Sequence, residues 1–239
     1  MKIIQSSMTA LATGTAALLA CSTYAGLTPV ATYDFEDNAI PAGFVVGVGS
    51  PSFAGGEFVG DGGSGIKITP TPLTATDNFI MEARLTPSAV ATFDFALGNS
   101  VGDTNDGYGI LLEGSTWKVI RMGQVVSNTG VPVALNTEVN IAFVRQAGSS
   151  QLYLNGTPIG SAIGNAAAPT QFNIGYNPFD NAAGGFNGTI DEVRLSTFTL
   201  DNGESIAVAG DGFLTVVPEP SSLALLSLGG LFIARRRRG

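Results

Sequence analysis

Nineteen carboxylates, one cysteine and no histidine are what this chain brings to chemistry. Without an imidazole, Ser-His-Asp and Cys-His mechanisms and histidine-bound zinc are excluded. Cys21, the one cysteine, has no partner for an internal disulfide. Acid–base chemistry on a glycosidic bond needs two carboxyl groups flanking one gap. The acidic pairs Glu36-Asp37 and Asp191-Glu192 are adjacent, and neighbours on a strand point to opposite faces. The spacing therefore gives paired-acid catalysis no support, and the chain is read as a non-enzyme.

Hard oxygen donors suit calcium better. Asp191 alternates in phase with Val193 and Leu195, which predicts that it lies on the apolar face of its strand. A carboxylate buried there must be bound to a cation, neutralised or hydrogen-bonded. Two readings stand: a calcium ligand, or an acceptor of backbone N–H groups. The stretch Asn99 to Gly107 gathers Asp103, Asn105 and Asp106. These could also hold calcium, although the closing glutamate of an EF-hand loop is missing and ordinary turns use the same residues. Sugar recognition would need an aromatic platform beside polar groups. Tyr176, Asn177, Phe179 and Asp180 supply both within five residues, with Tyr108, Trp117 and Tyr153 as further aromatics. A single tryptophan in an alternating run is read first as core.

The elements that must position these groups are strands. Phe79, Met81, Ala83 and Leu85 alternate with Ile80, Glu82 and Arg84, and Phe93, Phe95 and Leu97 alternate with Thr92, Asp94 and Ala96. Such period-two runs recur more than ten times, separated by Gly, Asn and Asp, and no helical period intervenes. Asn155-Gly156 has the composition of a type I′ hairpin turn. The pattern predicts an all-β, two-sheet antiparallel sandwich of jelly-roll type. Residues 26–216 form one domain in which six basic residues face eighteen acidic ones, a net charge of −12. A surface that acidic repels phosphate backbones, so nucleic acid is excluded as a partner and cations are favoured.

Several runs resemble the laminin-G-like domains of the concanavalin A-like lectin/glucanase fold. Tyr33 to Asp37 looks like the family's opening strand, and Phe58 to Ile68 its glycine-rich second strand. Phe79-Ile-Met-Glu-Ala-Arg-Leu85 resembles the family's F-x-x-E-A-W-V, with Arg84 where tryptophan is usual. Gln151 to Gly156 is similar to L-Y-V-N-G, and Phe186 to Leu195 to F-x-G-x-I-D-E-V-R-I. Glucanase relatives carry an E-x-D-x-E row on one strand, which this chain lacks. The resemblance also implies a structural calcium held by Asp191 together with the opening strand near Asp34 to Asp37 and the turn at Gly60 to Gly62. It leaves open a glycan-binding module, a structural or adhesive surface protein, and a divergent glycan-active enzyme.

The two ends carry transport signals. Lys2, the apolar Met8 to Ala20 and Thr23-Tyr24-Ala25 read as a signal peptide over residues 1–25; the alternative is a lipoprotein box ending at Cys21. Residues 217–239 contain Pro218-Glu219-Pro220, the apolar run Leu223 to Ala234, and Arg235, Arg236, Arg237 and Arg238. Two prolines stop an incoming strand, and an arginine cluster stays on the cytoplasmic side of a membrane. This order resembles the PEP-CTERM sorting signal; the alternative is a plain tail anchor. The resemblance implies signal peptidase and an exosortase as processing partners, an inner-membrane intermediate, and delivery to the envelope surface or its polysaccharide matrix. In a host with an exosortase, intact-mass measurement of surface material should give a mature chain lacking residues 1–25 and ending near 218–220. Recovery of the arginine tail on that species would contradict the assignment.

Overall fold

The period-two runs become strands packed as two sheets, with apolar positions turned toward each other. The computed structural model describes residues 26–73, 78–91, 93–99, 107–121, 125–164, 171–176, 184–201 and 204–218. Among these the strands run β1 (Leu27–Tyr33), β2 (Val45–Val48), β3 (Ser52–Ala54), β4 (Glu57–Asp61), β5 (Gly65–Ile68) and β6 (Phe79–Pro87). They continue as β7 (Asp94–Gly98), β8 (Tyr108–Glu113), β9 (Thr116–Arg121), β10 (Val125–Pro132), β11 (Val139–Gln146) and β12 (Ser149–Leu154). The last are β13 (Thr157–Ile163), β14 (Phe172–Ile174), β15 (Asn187–Phe198), β16 (Glu204–Val208) and β17 (Leu214–Pro218). The described residues contain no helix, as the all-β reading expects.

Sheet A has the order β13-β12-β11-β6-β15-β4-β3, with β1 also paired to β15; sheet B has the order β10-β9-β8-β7-β14-β5-β2. All the strand pairs within them are antiparallel. Phe79, Met81, Ala83 and Leu85 face the core between the sheets, where they meet Ile110, Leu112, Trp117, Phe143, Val193 and Leu195. Burying each such side chain favours the fold by about 1.5–3 kcal/mol, so this layer is the dominant stabilising contact. Asn155 and Gly156 both take positive φ, 48° and 75°, and turn β12 into β13. A Cβ at Gly156 would come within 1.7 Å of Val208 Cγ2, so the position is closed to larger residues twice over.

Two expectations of phase fail because of bulges. In β7 the register shifts between Phe95 and Leu97. Phe95 then joins Leu111 in a separate cluster, Asp94 is fully buried, and Phe93 is exposed. In β15 the partner of Ile190 is Leu85 and that of Glu192 is Arg84, so Asp191 is the extra residue.

The outer face of sheet A is covered. β16 and β17 pair only with each other and form a hairpin. Its Leu214 and Val216 pack with Ile80, Ala142, Val144 and Phe198. Glu82 points outward from β6 and lies beneath this hairpin, 1% exposed, where its Oε2 accepts the Leu214 N–H at 2.9 Å. Burial raises its pKa from 4.5 to about 7; the Leu214 N–H and Arg194 oppose the shift, while Asp211 and Glu192 add to it.

A raised carboxylate means that the folded chain keeps a proton the unfolded chain has released. The stabilisation is fully present below about pH 4.5 and is lost as pH rises through about 7. The difference amounts to about 3 kcal/mol for a shift of this size. Denaturant unfolding from pH 5 to pH 8 should show that decline, and Glu82→Gln, which keeps the acceptor oxygen but cannot ionise, should remove most of it. An equal slope in the variant would place the titrating group elsewhere.

Candidate functional site

The hairpin tip brings together a cluster of charges that the linear sequence keeps apart. Arg84 on β6 and Arg194 on β15 both lie over the Phe213 ring, with guanidinium carbons 4.8 and 3.7 Å from its centroid. Cations favour the negative face of an aromatic ring, and Phe213 is buried beneath them. Arg194 donates from Nε to Glu192 Oε1 and from Nη1 to Asp211 Oδ2, both at 2.6 Å. Burial works against its charge, but Glu192 and Asp211 outweigh it and raise the arginine pKa. The same contact with Arg194 lowers that of Asp211. Arg84 donates to the Asp211 carbonyl at 2.8 Å and to Asp191 Oδ2 at 3.2 Å, with Glu138 4.0 Å from its Nε.

Asp191 is therefore not on the buried face. The bulge turns it outward, its side chain stays one-third exposed (33%), and Arg84 neutralises it. The core positions around it belong to Ile190, Val193 and Leu195. On the outer face of sheet A the residue that does place a carboxylate out of water is Glu82, as Asp94 does in the other sheet. The signal of Glu82 was its position in an alternating run, but that run alone predicted an outward, wet side chain.

Two open grooves flank the cluster. One, of about 300 Å³, is lined by Arg84, Glu138, Val139, Asn140, Asn155, Val208, Asp211 and Gly212. The other, of about 290 Å³, follows the end of β1 and holds Asp34 and Asp37 beside Tyr33, Ile40 and Pro41. Asp37 is exposed at its rim. No group of three or more acidic or cysteine side chains at metal-binding spacing occurs among the described residues.

Tyr176 is not a platform for sugar. It is 1% exposed, its hydroxyl donates to Asn173 Oδ1 at 3.2 Å and accepts from Gln171 Nε2 at 3.3 Å, and its ring packs on Gly47 and Gly65. The two glycines leave room for a ring where any Cβ would collide, which makes Tyr176 a core residue of its sheet. Trp117 and Tyr108 are core residues as well, each at most 1% exposed. Asn177, Phe179, Asp180, Asp103 and Asp106 lie outside the described residues, as do residues 1–25, Glu219, Pro220 and Arg235 to Arg238. Pro218 is the last described residue and the last of β17.

Known structures share this architecture. Domain 4 of AbnA, an extracellular GH43 arabinanase from Geobacillus stearothermophilus, solved in complex with arabinotriose, is 20% identical with a TM-score of 0.59. The match covers 73% of this chain and 95% of that one. A sialidase from Trypanosoma rangeli is 14% identical with a TM-score of 0.52; the match covers 74% of this chain and only 30% of the sialidase. These likenesses show the fold. No curated protein matches the chain significantly. A PEP-CTERM protein-sorting motif matches residues 216–238. It marks a protein that is exported, held transiently in the membrane and passed to the cell surface or extracellular space. The concanavalin A-like lectin/glucanases family matches residues 60–204, and with its two antiparallel sheets in place the chain belongs to that superfamily.

Proposed function

We propose that this protein is a non-catalytic carbohydrate-binding module, exported through exosortase processing and kept at the envelope or in its polysaccharide matrix. One observation carries the reading. Three acids clustered at the hairpin tip are tied to guanidinium groups: Asp191 to Arg84, and Glu192 and Asp211 to Arg194. A carboxylate held by an arginine is a poor proton donor and a shielded nucleophile, yet it still accepts hydrogen bonds from hydroxyl groups. A shallow groove that holds one such acceptor, Asp211, beside Glu138 suits sugar recognition better than bond cleavage. The arabinotriose complex of the arabinanase domain supports the carbohydrate part of the proposal. On a panel of arabinan, galactan, glucan, alginate and polygalacturonate, the full-length chain should be retained on at least one polymer and release no reducing ends. Retention on none would favour a purely structural or adhesive role. Hydrolysis that disappears when one acid is replaced would make it an enzyme.

Calcium belongs to this reading as a stabiliser rather than a catalyst. Asp191, already neutralised by Arg84, does not fit a cation. Asp34 and Asp37, which line one groove, offer the hard oxygens calcium prefers. Calcium at about a hundred times Kd would add roughly 2.7 kcal/mol to stability. The melting midpoint should rise with calcium in the wild type and in Asp191→Asn, and the rise should vanish in Asp34→Asn with Asp37→Asn. A rise that survives the double change would move the cation to the Asp103–Asp106 stretch.

A further inference from the structure

One wall of the groove at the hairpin tip lies outside the superfamily match. One wall is β11 and the β12–β13 turn, with Glu138, Asn140 and Asn155; the other is Val208, Asp211 and Gly212, all beyond residue 204 where the match ends. The two walls are joined. Asn140 Nδ2 donates to the Gly212 carbonyl at 3.0 Å, and Arg84 crosses the floor to the Asp211 carbonyl. The shape is set before any ligand arrives, which lowers the ordering cost of binding.

Its chemistry is specific. The Glu138 side chain is 63% exposed and, among the described residues, has one long contact, 4.0 Å to Arg84, so both carboxylate oxygens can accept. Asn155 Oδ1 is taken by the Asn140 N–H at 2.8 Å, which leaves the amide donors of Asn155 for a ligand. Val208, 45% exposed, adds an apolar surface against which a sugar's C–H face can rest. Carboxylate acceptor, amide donor and small apolar wall around about 300 Å³ match one or two pyranose or furanose rings. Four carboxylates, Glu138, Asp191, Glu192 and Asp211, face two guanidinium groups, Arg84 and Arg194. The net negative field disfavours uronic or sialic acids.

We propose that this groove, closed on one side by the β16–β17 hairpin, is a subsite for a neutral, polyhydroxylated glycan. The proposal rests on the carbohydrate-binding reading and narrows it to one place and one charge class.

The test uses the full-length chain on the same polysaccharide panel, with a melting midpoint recorded for every variant. A neutral polymer should retain the protein, and alginate and polygalacturonate should not. Asn155→Ala and Glu138→Gln should each weaken retention roughly tenfold, the effect of losing about one hydrogen bond to a charged or well-placed group. Val208→Asp, on the opposite wall, should weaken it similarly and serves where Asn155→Ala disturbs the turn. Val45→Ala, on the edge strand of the other sheet, should bind as the wild type does. Undiminished retention in all three groove variants would overturn the subsite and leave carbohydrate binding standing. Retention of the wild type on no polymer would overturn both. A preference for the acidic polymers would overturn the neutral assignment.

Discussion

The pairing of β15 with β6 is the contact on which the rest of the molecule depends. Nine residues of β15 find partners along β6, from Gly188 opposite Pro87 to Thr197 opposite Phe79. The other flank of β15 is shared: β4 takes Asn187 to Ile190, and β1 takes Val193 to Phe198. The bulge at Asp191 falls in the gap between those two neighbours. A strand that changes partner on one side while keeping it on the other must absorb an offset, and one extra residue does so. That residue leaves the core and carries a charge, while Glu192 and Arg194 are set on the outer face, where the hairpin lands.

The outer face of sheet A is then a second, smaller interior. Its apolar half is ordinary: Ile80, Ala142, Val144 and Phe198 under Leu214 and Val216. Its polar half works by mutual neutralisation, since Phe213 could not sit under Arg84 and Arg194 unless acids offset their charge nearby. Glu82 is the exception, buried with more negative than positive charge about it, and it responds by holding its proton rather than by finding a cation.

Much of this was legible in the residues. The alternation at Phe79 to Leu85, the Asn155-Gly156 turn and the closing motif from Phe186 named the fold, because period two and positive φ are local demands that a short stretch reveals. Asp191 was placed on the wrong face because a bulge is decided by the neighbours of β15, and none of them lies nearby in sequence. Tyr176 was taken for a platform because its partners, Gly47 and Gly65, are more than a hundred residues away. The hairpin was hidden for another reason. No alternating run was read in residues 204–218, although Ile206, Leu214 and Val216 are apolar enough to need a surface to cover.

The last strand and the sorting motif share residues 216–218. Five residue steps separate Pro218 from Leu223, where the apolar run begins, and a fully extended chain spans at most about 3.6 Å per step. While the tail is in the membrane, the open end of the hairpin can therefore rise no more than about 18 Å above the hydrocarbon. During the tethered interval that end of the hairpin therefore stays close to the membrane, while the turn that carries Asp211 lies at the hairpin's other end.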